Sequence, residues 1–220
     1  MPEEAEITLP MIRQRLTAAL LSDALDRLGY RRQSPKVPLR PCTGIDKLVG
    51  RAKTTLWVDM AHEDPRPYEL ELQAVDSCEP DDVIVCAAGG SMRSAAWGEL
   101  LSTAARNRGC VGAVVEGAVR DVARMGELEF PCFALGMSVY DSLNRQRVVD
   151  FDVAVELGGV ACRPGDLIVA DLDGIVIVPR ETETAAVQLA WRKANTENQM
   201  LGDLRGGLTA GEAFRKHGTL

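Results

Sequence analysis

The chain has 220 residues, 46% apolar, 26% charged and only 5% aromatic, with a formal net charge of −7. That length is ample for a core, which must be built from Val, Leu, Ile and Ala rather than from rings. The acidic balance speaks against non-specific binding of nucleic acid or anionic membranes, both of which favour basic surfaces.

No run approaches the ~20 apolar residues that a membrane-spanning helix needs. The opening MPEEAEITLP carries acids where a secretion signal would carry basic residues and then an apolar run. The six cysteines (Cys42, Cys78, Cys86, Cys110, Cys132, Cys162) include no CxxC pair, so neither a disulfide framework nor a zinc cluster is indicated. Four of them lie in or beside apolar runs such as VIVCAA and PCFAL, which suits reduced thiols acting as small hydrophobes. The expectation is a cytoplasmic protein with free thiols. None is expected to be catalytic, because neither His has an evident pairing role.

In chain order, Ile12, Leu16, Leu20, Ala24 and Leu28 recur at near-helical spacing, predicting a helix from about Pro10 to Leu28 that Gly29 stops. Loops and short strands follow around Pro35, Pro38 and Pro41, then a strand over Lys53–Met60. The segment AHEDPRPY (61–68) is too polar and Pro-broken for a regular element. A short echo follows, in which CEPDDVIV from Cys78 matches CRPGDLIV from Cys162. Each is a Pro-led turn feeding a β-branched run, the pattern of a turn launching a buried strand.

Between the echoes lie a Gly-rich loop (AAGGSMRSAAWG), a helix from about Glu99 to Arg108, a strand over Gly112–Val115, a turn at Glu116-Gly117 and the segment AVRDVARM. Further strands are predicted over Cys132–Ala134, Leu157–Ala161, Leu167–Ala170 and Gly174–Val178, and a last helix over about Glu181–Leu204, ahead of a loop and a short helix. Helix alternating with strand points to a parallel or mixed α/β sheet. No low-complexity linker interrupts it, so one domain is expected over residues 1–220.

Two places could carry chemistry. Starting the helix at Gly98 avoids a glycine in its interior, which costs roughly 1 kcal/mol, and Gly is an acceptable N-cap. The amides of Glu99, Leu100 and Leu101 then lack helical partners and can hold a carboxylate or phosphate. The plainer reading is that Gly98 lets Trp97 pack closely. Arg120 and Asp121, in VVEGAVRDV, follow a buried strand, and loops beyond strand ends are where α/β proteins bind ligands. Neighbours on a regular element point different ways, so both serve one ligand only if the backbone turns there. The plainer reading has Asp121 capping a helix from Val122 and Arg120 as a solvated charge.

Other candidates are weaker. His62-Glu63 lacks the second His of HExxH, and GGSMRS matches neither GxxxxGK[ST] nor GxGxxG. Ser91 has no nucleophile-elbow context. Asp171 and Asp173 in ADLDG read as a tight turn. Glu181, Glu183 and Glu197 default to a solvated helix face.

The block GGSMRSAAWGELLSTAARNRGCVGAVVEGAVRDV resembles the signature region of the RraA-like family, which includes the 4-hydroxy-4-methyl-2-oxoglutarate/4-carboxy-4-hydroxy-2-oxoadipate aldolases. The likeness extends to SDALDRLG, GRAKT (50–54) and CRPGDLIVADLDGIVIVP, covering most of the chain. It implies a β/β/α swivelling-type sandwich assembled as trimers or hexamers with active sites between subunits. It also implies that Asp121 ligates a divalent metal, magnesium or manganese, and that Arg120 contacts the substrate's oxo or enolate oxygen. The amides of Gly98-Glu99-Leu100-Leu101 would hold a pyruvate-like carboxylate, with Glu99 orienting a water on the metal. A glutamate from a neighbouring subunit's C-terminal helix is implied as well, and Glu197 fits by spacing. Two departures are visible: Glu116 stands where many relatives have Asp, and Glu99 where some aldolases have Asp.

The implied activity is metal-dependent cleavage or decarboxylation of small 2-oxo acids to pyruvate through a metal-stabilised enolate. One hard carboxylate ligand with several waters suits magnesium better than zinc. Arg93 and Arg124 are candidates for contacting the distal end of the substrate. The rival implication is a non-catalytic regulator that binds an RNA-processing enzyme, which predicts a degraded Arg-Asp pair, whereas Arg120 and Asp121 both stand here. A methyltransferase is disfavoured, since no Gly-rich S-adenosylmethionine loop follows a first strand.

Overall fold

A computed structural model describes residues 7–218. The first apolar stripe forms two helices, α1 (Leu9–Arg15) and α2 (Ala18–Arg27), rather than the one expected over about 10–28. Between them, Leu16 (φ −100°, ψ 142°) and Thr17 (φ −107°, ψ 162°) are extended. Thr17 Oγ1 accepts from the Leu20 amide at 3.2 Å, and the Asp171 carboxylate accepts from the Ala18 amide at 2.7 Å. Amides at the start of α2 are thus capped by side chains, which allows a fresh helix to begin. Ile12, Leu16, Leu21 and Leu25 still reach one core, so the apolar spacing runs through the break and hides it.

The chain continues through β1 (Arg40–Pro41), β2 (Leu48–Asp59), α3 (Glu69–Asp76), β3 (Asp82–Ala87), β4 (Ala95–Trp97), α4 (Glu99–Asn107), β5 (Gly112–Val119) and α5 (Val122–Glu127). Then come β6 (Cys132–Met137), β7 (Gln146–Phe151), β8 (Val155–Leu157), β9 (Val160–Cys162), β10 (Leu167–Ala170), β11 (Ile175–Val178), α6 (Glu183–Arg205) and α7 (Ala210–His217).

One mixed sheet runs in the order β1-β6-β5-β3-β2-β10-β11, with β4 added beside β5 and β7 beside β2. Its centre is parallel: β2 with β3, β3 with β5, and β5 with β6 and β4. The long strand β2 changes partner along its length. Leu48–Arg51 pair antiparallel with β10, and Thr55–Asp59 pair antiparallel with β7. One strand therefore joins two arms, and the sheet curls.

Alternation along the strands divides the burial. Val83, Val85 and Ala87 of β3 join Ile168, Ile177 and the β8–β9 hairpin on one face. Ile84 and Cys86 turn the other way, against Val75, Ala105 and Met125 from α3, α4 and α5. In the second arm, Leu167, Val169, Val176 and Val178 meet α1, α2 and α6. Strands covered on both faces read as unbroken apolar runs, and this is why VIVCA, LIVA and IVIV were legible. The α/β expectation with its β/β/α layering holds.

Three local expectations fail. Glu116-Gly117 is no turn, because β5 runs on to Val119 with a bulge that shifts its register against β6 between Val115 and Ala118. Glu116 is buried there and accepts from the Gly158 amide at 3.0 Å, while its carbonyl accepts from the Gly90 amide at 3.1 Å. Those bonds fasten the strand where a turn was expected. Burial pushes its carboxyl above the ordinary range, against the pull of the Gly158 and Gly89 amides. The strand expected over Leu157–Ala161 is the tip of a hairpin, with Gly158 and Gly159 at φ 54° and 83° joining β8 to β9. Glu183 is not on a solvated face either, since it grips both guanidinium nitrogens of Arg51.

No helix among the described residues is long and apolar enough to cross a membrane. All six cysteines are free thiols, five of them buried and Cys42 partly so.

Candidate active site

The bulge in β5 does more than absorb a residue. Below it, Gly112–Val115 pair with β3, and above it, Ala118 and Val119 pair with the short strand β4. Two parallel strands thus end side by side, and each turns directly into a helix. The Arg120 amide donates to the Trp97 carbonyl at 3.0 Å, which holds the two junctions together. The first junction is braced by Ser102, whose hydroxyl accepts from the Trp97 indole N–H at 2.8 Å and donates to the Gly98 carbonyl at 2.9 Å.

The backbone turn that the Arg-Asp pair needs is present. Asp121 lies in the left-handed region at φ 56°, ψ 32°, a conformation that Asp tolerates better than most residues. It precedes α5 yet makes no side-chain cap to that helix. Its Oδ2 instead lies 3.4 Å from the Glu99 amide and 3.7 Å from Arg120 Nε. The capping alternative is therefore not what the carboxylate does.

Gly98, Leu100, Leu101, Arg120 and Asp121 line one cleft of about 260 Å³, joined by Tyr68, Glu71 and Asp141. Gly98 is the N-cap of α4, as expected, so the first-turn amides of Leu100 and Leu101 have no helical acceptor. Anions are favoured at such a helix start. The guanidinium of Arg120 is held by Asp141 at 2.6 Å. Asp141 in turn accepts from the Tyr68 hydroxyl at 2.6 Å and from the Leu143 amide at 2.8 Å. Burial would raise the Asp141 carboxyl, but these hydrogen bonds and the Arg120 charge outweigh it and hold it below the usual range. Tyr68 is pushed up to about 12 by burial and by the Asp141 charge, so it stays a donor.

Other expected residues stand apart. Glu99 begins α4 half-exposed, beside the cleft rather than on its wall. Arg93 is exposed on the Gly-rich loop, and Arg124 pairs with Glu127 at 2.8 Å. Glu197 lies on α6, which packs over α1 and α2, and it pairs with Lys193 at 3.3 Å. The chain's own fold does not bring it to the cleft. Ser91 hydrogen bonds Asp59 rather than a histidine, and Asp171 and Asp173 form the expected turn.

No group of three or more His, Cys, Asp or Glu able to hold a metal occurs among the described residues. Zinc, which wants three or four protein ligands, does not fit. A single half-exposed carboxylate fits a hard cation that keeps most of its water, such as magnesium.

Gly98 is close to both candidate side chains, Arg120 and Asp121. A Cβ added there would lie 2.9 Å from Asp121 Oδ2 and 3.2 Å from Arg120 Cγ. Both are movable side-chain atoms, so Gly98→Ala is expected to keep the fold within about 1 kcal/mol while displacing the carboxylate. Denaturant unfolding beside an activity assay checks this. Equal loss of both, or of neither, contradicts the geometry.

Fold and cleft together define an α/β protein with a loop-borne cleft at the ends of parallel strands, the place where such proteins commonly bind ligands. Residues 18–177 match the RraA-like family (Aldolase/RraA), and the chain belongs to that family. It is 33% identical over 190 residues to a Halalkalibacterium halodurans protein named "Putative 4-hydroxy-4-methyl-2-oxoglutarate aldolase", covering 86% of this chain and 85% of that one. Among solved structures, an uncharacterized protein from Pseudomonas syringae pv. tomato aligns with a TM-score of 0.80 and 27% identity, over 93% of this chain and 95% of the other. Streptomyces coelicolor RraAS2, described as an unusual member of the RNase ES inhibitor RraA protein family, aligns at 0.76 and 26% identity, over 94% and 99%.

Proposed function

We propose that the chain is a divalent-metal-dependent lyase that releases pyruvate from small 2-oxo acids by aldol cleavage or decarboxylation. The observation that carries this reading is the left-handed turn at Asp121, which brings a hard carboxylate and a guanidinium to the start of α4 in one cleft. The name of the Halalkalibacterium relative supports the same reaction class.

The substrate carboxylate binds the amides of Leu100 and Leu101. Asp121 holds the cation, magnesium or manganese, which when bound supplies Lewis-acid polarisation of the oxo group. Arg120 adds fixed positive charge where negative charge grows on the oxo oxygen as the carbon–carbon bond breaks, and charge placed there lowers the barrier. Asp141 and Tyr68 position Arg120 by keeping its guanidinium pinned. Glu99, beside the cleft, orients water at its mouth. Leu72, Leu100, Met137 and Val139 are exposed apolar residues on the elements around the cleft, which supports a neighbouring copy of the chain covering it and contributing Glu197 in a homotrimer or homohexamer.

The test is pyruvate release from oxaloacetate and from 4-hydroxy-4-methyl-2-oxoglutarate with magnesium. Activity should vanish on chelation and return when magnesium or manganese is restored. The likeness to RraAS2 favours a second reading, a regulator that binds an RNA-processing enzyme. Absence of pyruvate from both substrates, with capture of a ribonuclease by the intact chain, would favour it over the lyase.

A further inference from the structure

Helix α3 contributes one wall of the cleft, and its Glu71 has no role in the chemistry above. Glu71 is only 7% exposed, yet it lines the cleft and its Oε2 has no hydrogen-bond partner. Ionising a buried carboxyl without a partner is costly, and the nearby Arg120 charge offsets that cost only in part. Arg120, at the end of β5, is engaged by Asp141 at 2.6 Å. The Tyr68 hydroxyl, just before α3, is spent on the same Asp141. Asp141 itself, ahead of β7, adds a like charge. Cys86 of β3, within electrostatic reach of Glu71, has a thiol that burial raises to about 12, so it carries no charge. Burial first, then the Asp141 charge, push Glu71 to about 8. It therefore carries a proton at pH 7, next to space that a ligand fills.

We propose that Glu71 is a further catalytic residue, the acid that protonates the carbon left electron-rich when the carbon–carbon bond of the bound 2-oxo acid breaks. This assignment rests on the lyase reading. As C3–C4 breaks, its electron pair passes into the C2–C3 bond and the oxo oxygen. The pair then returns to C3 as the C3–H bond forms and the Glu71 O–H bond breaks, giving pyruvate and a Glu71 carboxylate. That carboxylate recovers its proton from the 4-hydroxyl in aldol cleavage, or from water in decarboxylation. No oxidant or reductant is involved.

The reverse of this step is removal of a methyl proton from pyruvate, which needs no bond cleavage between carbons. The test follows exchange of pyruvate methyl protons in D2O by proton NMR, using the full chain with magnesium. Glu71→Gln keeps the size and removes the acid, so exchange should fall by about 10²-fold or more. For oxaloacetate, kcat should fall with KM little changed. Glu71→Asp should restore part of the exchange, which a purely structural role would not predict. Glu71→Leu, which suits a buried site, provides a second acid-free variant, with circular dichroism reporting the fold. A folded Glu71→Gln or Glu71→Leu that exchanges at the wild-type rate overturns the assignment while leaving the lyase reading intact. A wild-type chain that releases no pyruvate overturns both.

Discussion

Asp121→Asn is expected to lower magnesium-dependent pyruvate release by roughly 10²–10³-fold, the size of effect seen when one preorganised electrostatic contact to a developing charge is lost. Asn is the informative replacement. Like Asp it tolerates the left-handed backbone found at this position (φ 56°, ψ 32°), and it preserves size, so only the charge is removed. The carboxylate makes no cap to α5 whose loss would loosen the fold. The thermal midpoint should therefore stay close to wild type while activity collapses and the magnesium needed for half-saturation rises. Asp121→Ala adds about 1–2 kcal/mol of backbone strain and should lose stability as well as activity. Unchanged magnesium-dependent turnover in the Asn variant would remove Asp121 as the residue that holds the metal.

The second large effect concerns stability against pH. Glu71 titrates near its ordinary 4.5 in the unfolded chain but at about 8 in the folded one. Between those values the folded chain keeps a proton that the unfolded chain has released. Stability then falls as pH rises. The contribution of Glu71 is thus unperturbed below about pH 4.5, declines through the window and levels off above about pH 8. The total is on the order of a few kcal/mol, because the side chain is nearly fully buried. Urea unfolding of the metal-free chain from pH 5 to 9, wild type against Glu71→Gln, isolates the effect. The wild type should lose stability relative to the variant as pH increases. A constant difference across that range would mean that Glu71 is not held protonated.

Those two residues differ in how visible they were from sequence. Asp121 stands beside Arg120 just after an apolar run, and Gly98 argues for a helix start by its cost in a helix interior, so local rules reach both. Glu71 gains meaning only from the fold. Its α3 lies between β2 and β3, and its neighbours Asp141 and Arg120 are far away in sequence. The Tyr68–Asp141 bond spans 73 residues, beyond any periodicity. The strands were legible because burial on both faces leaves apolar runs. The break at Leu16–Thr17 was not, since Leu16 stays in the core on either side of it. Glu116-Gly117 misled for a similar reason: a polar pair inside a strand looks like a turn unless the buried amide that Glu116 accepts from is known. The family resemblance pointed to Arg120 and Asp121, and the fold places both beside the α4 start, whereas Glu197 is not brought to the cleft by this chain alone.

The left-handed backbone at position 121 also narrows what inheritance can do there. Asp, Asn and Gly are the residues that occupy such a shape with least difficulty, and Asp codons stand one base change from those of the other two. The shortest route away from the acid therefore ends in a neutral residue that the sheet accepts. A descendant that took it would keep its architecture and, under the proposed metal-dependent reaction, forfeit its chemistry in one step, leaving an intact scaffold for selection to employ elsewhere.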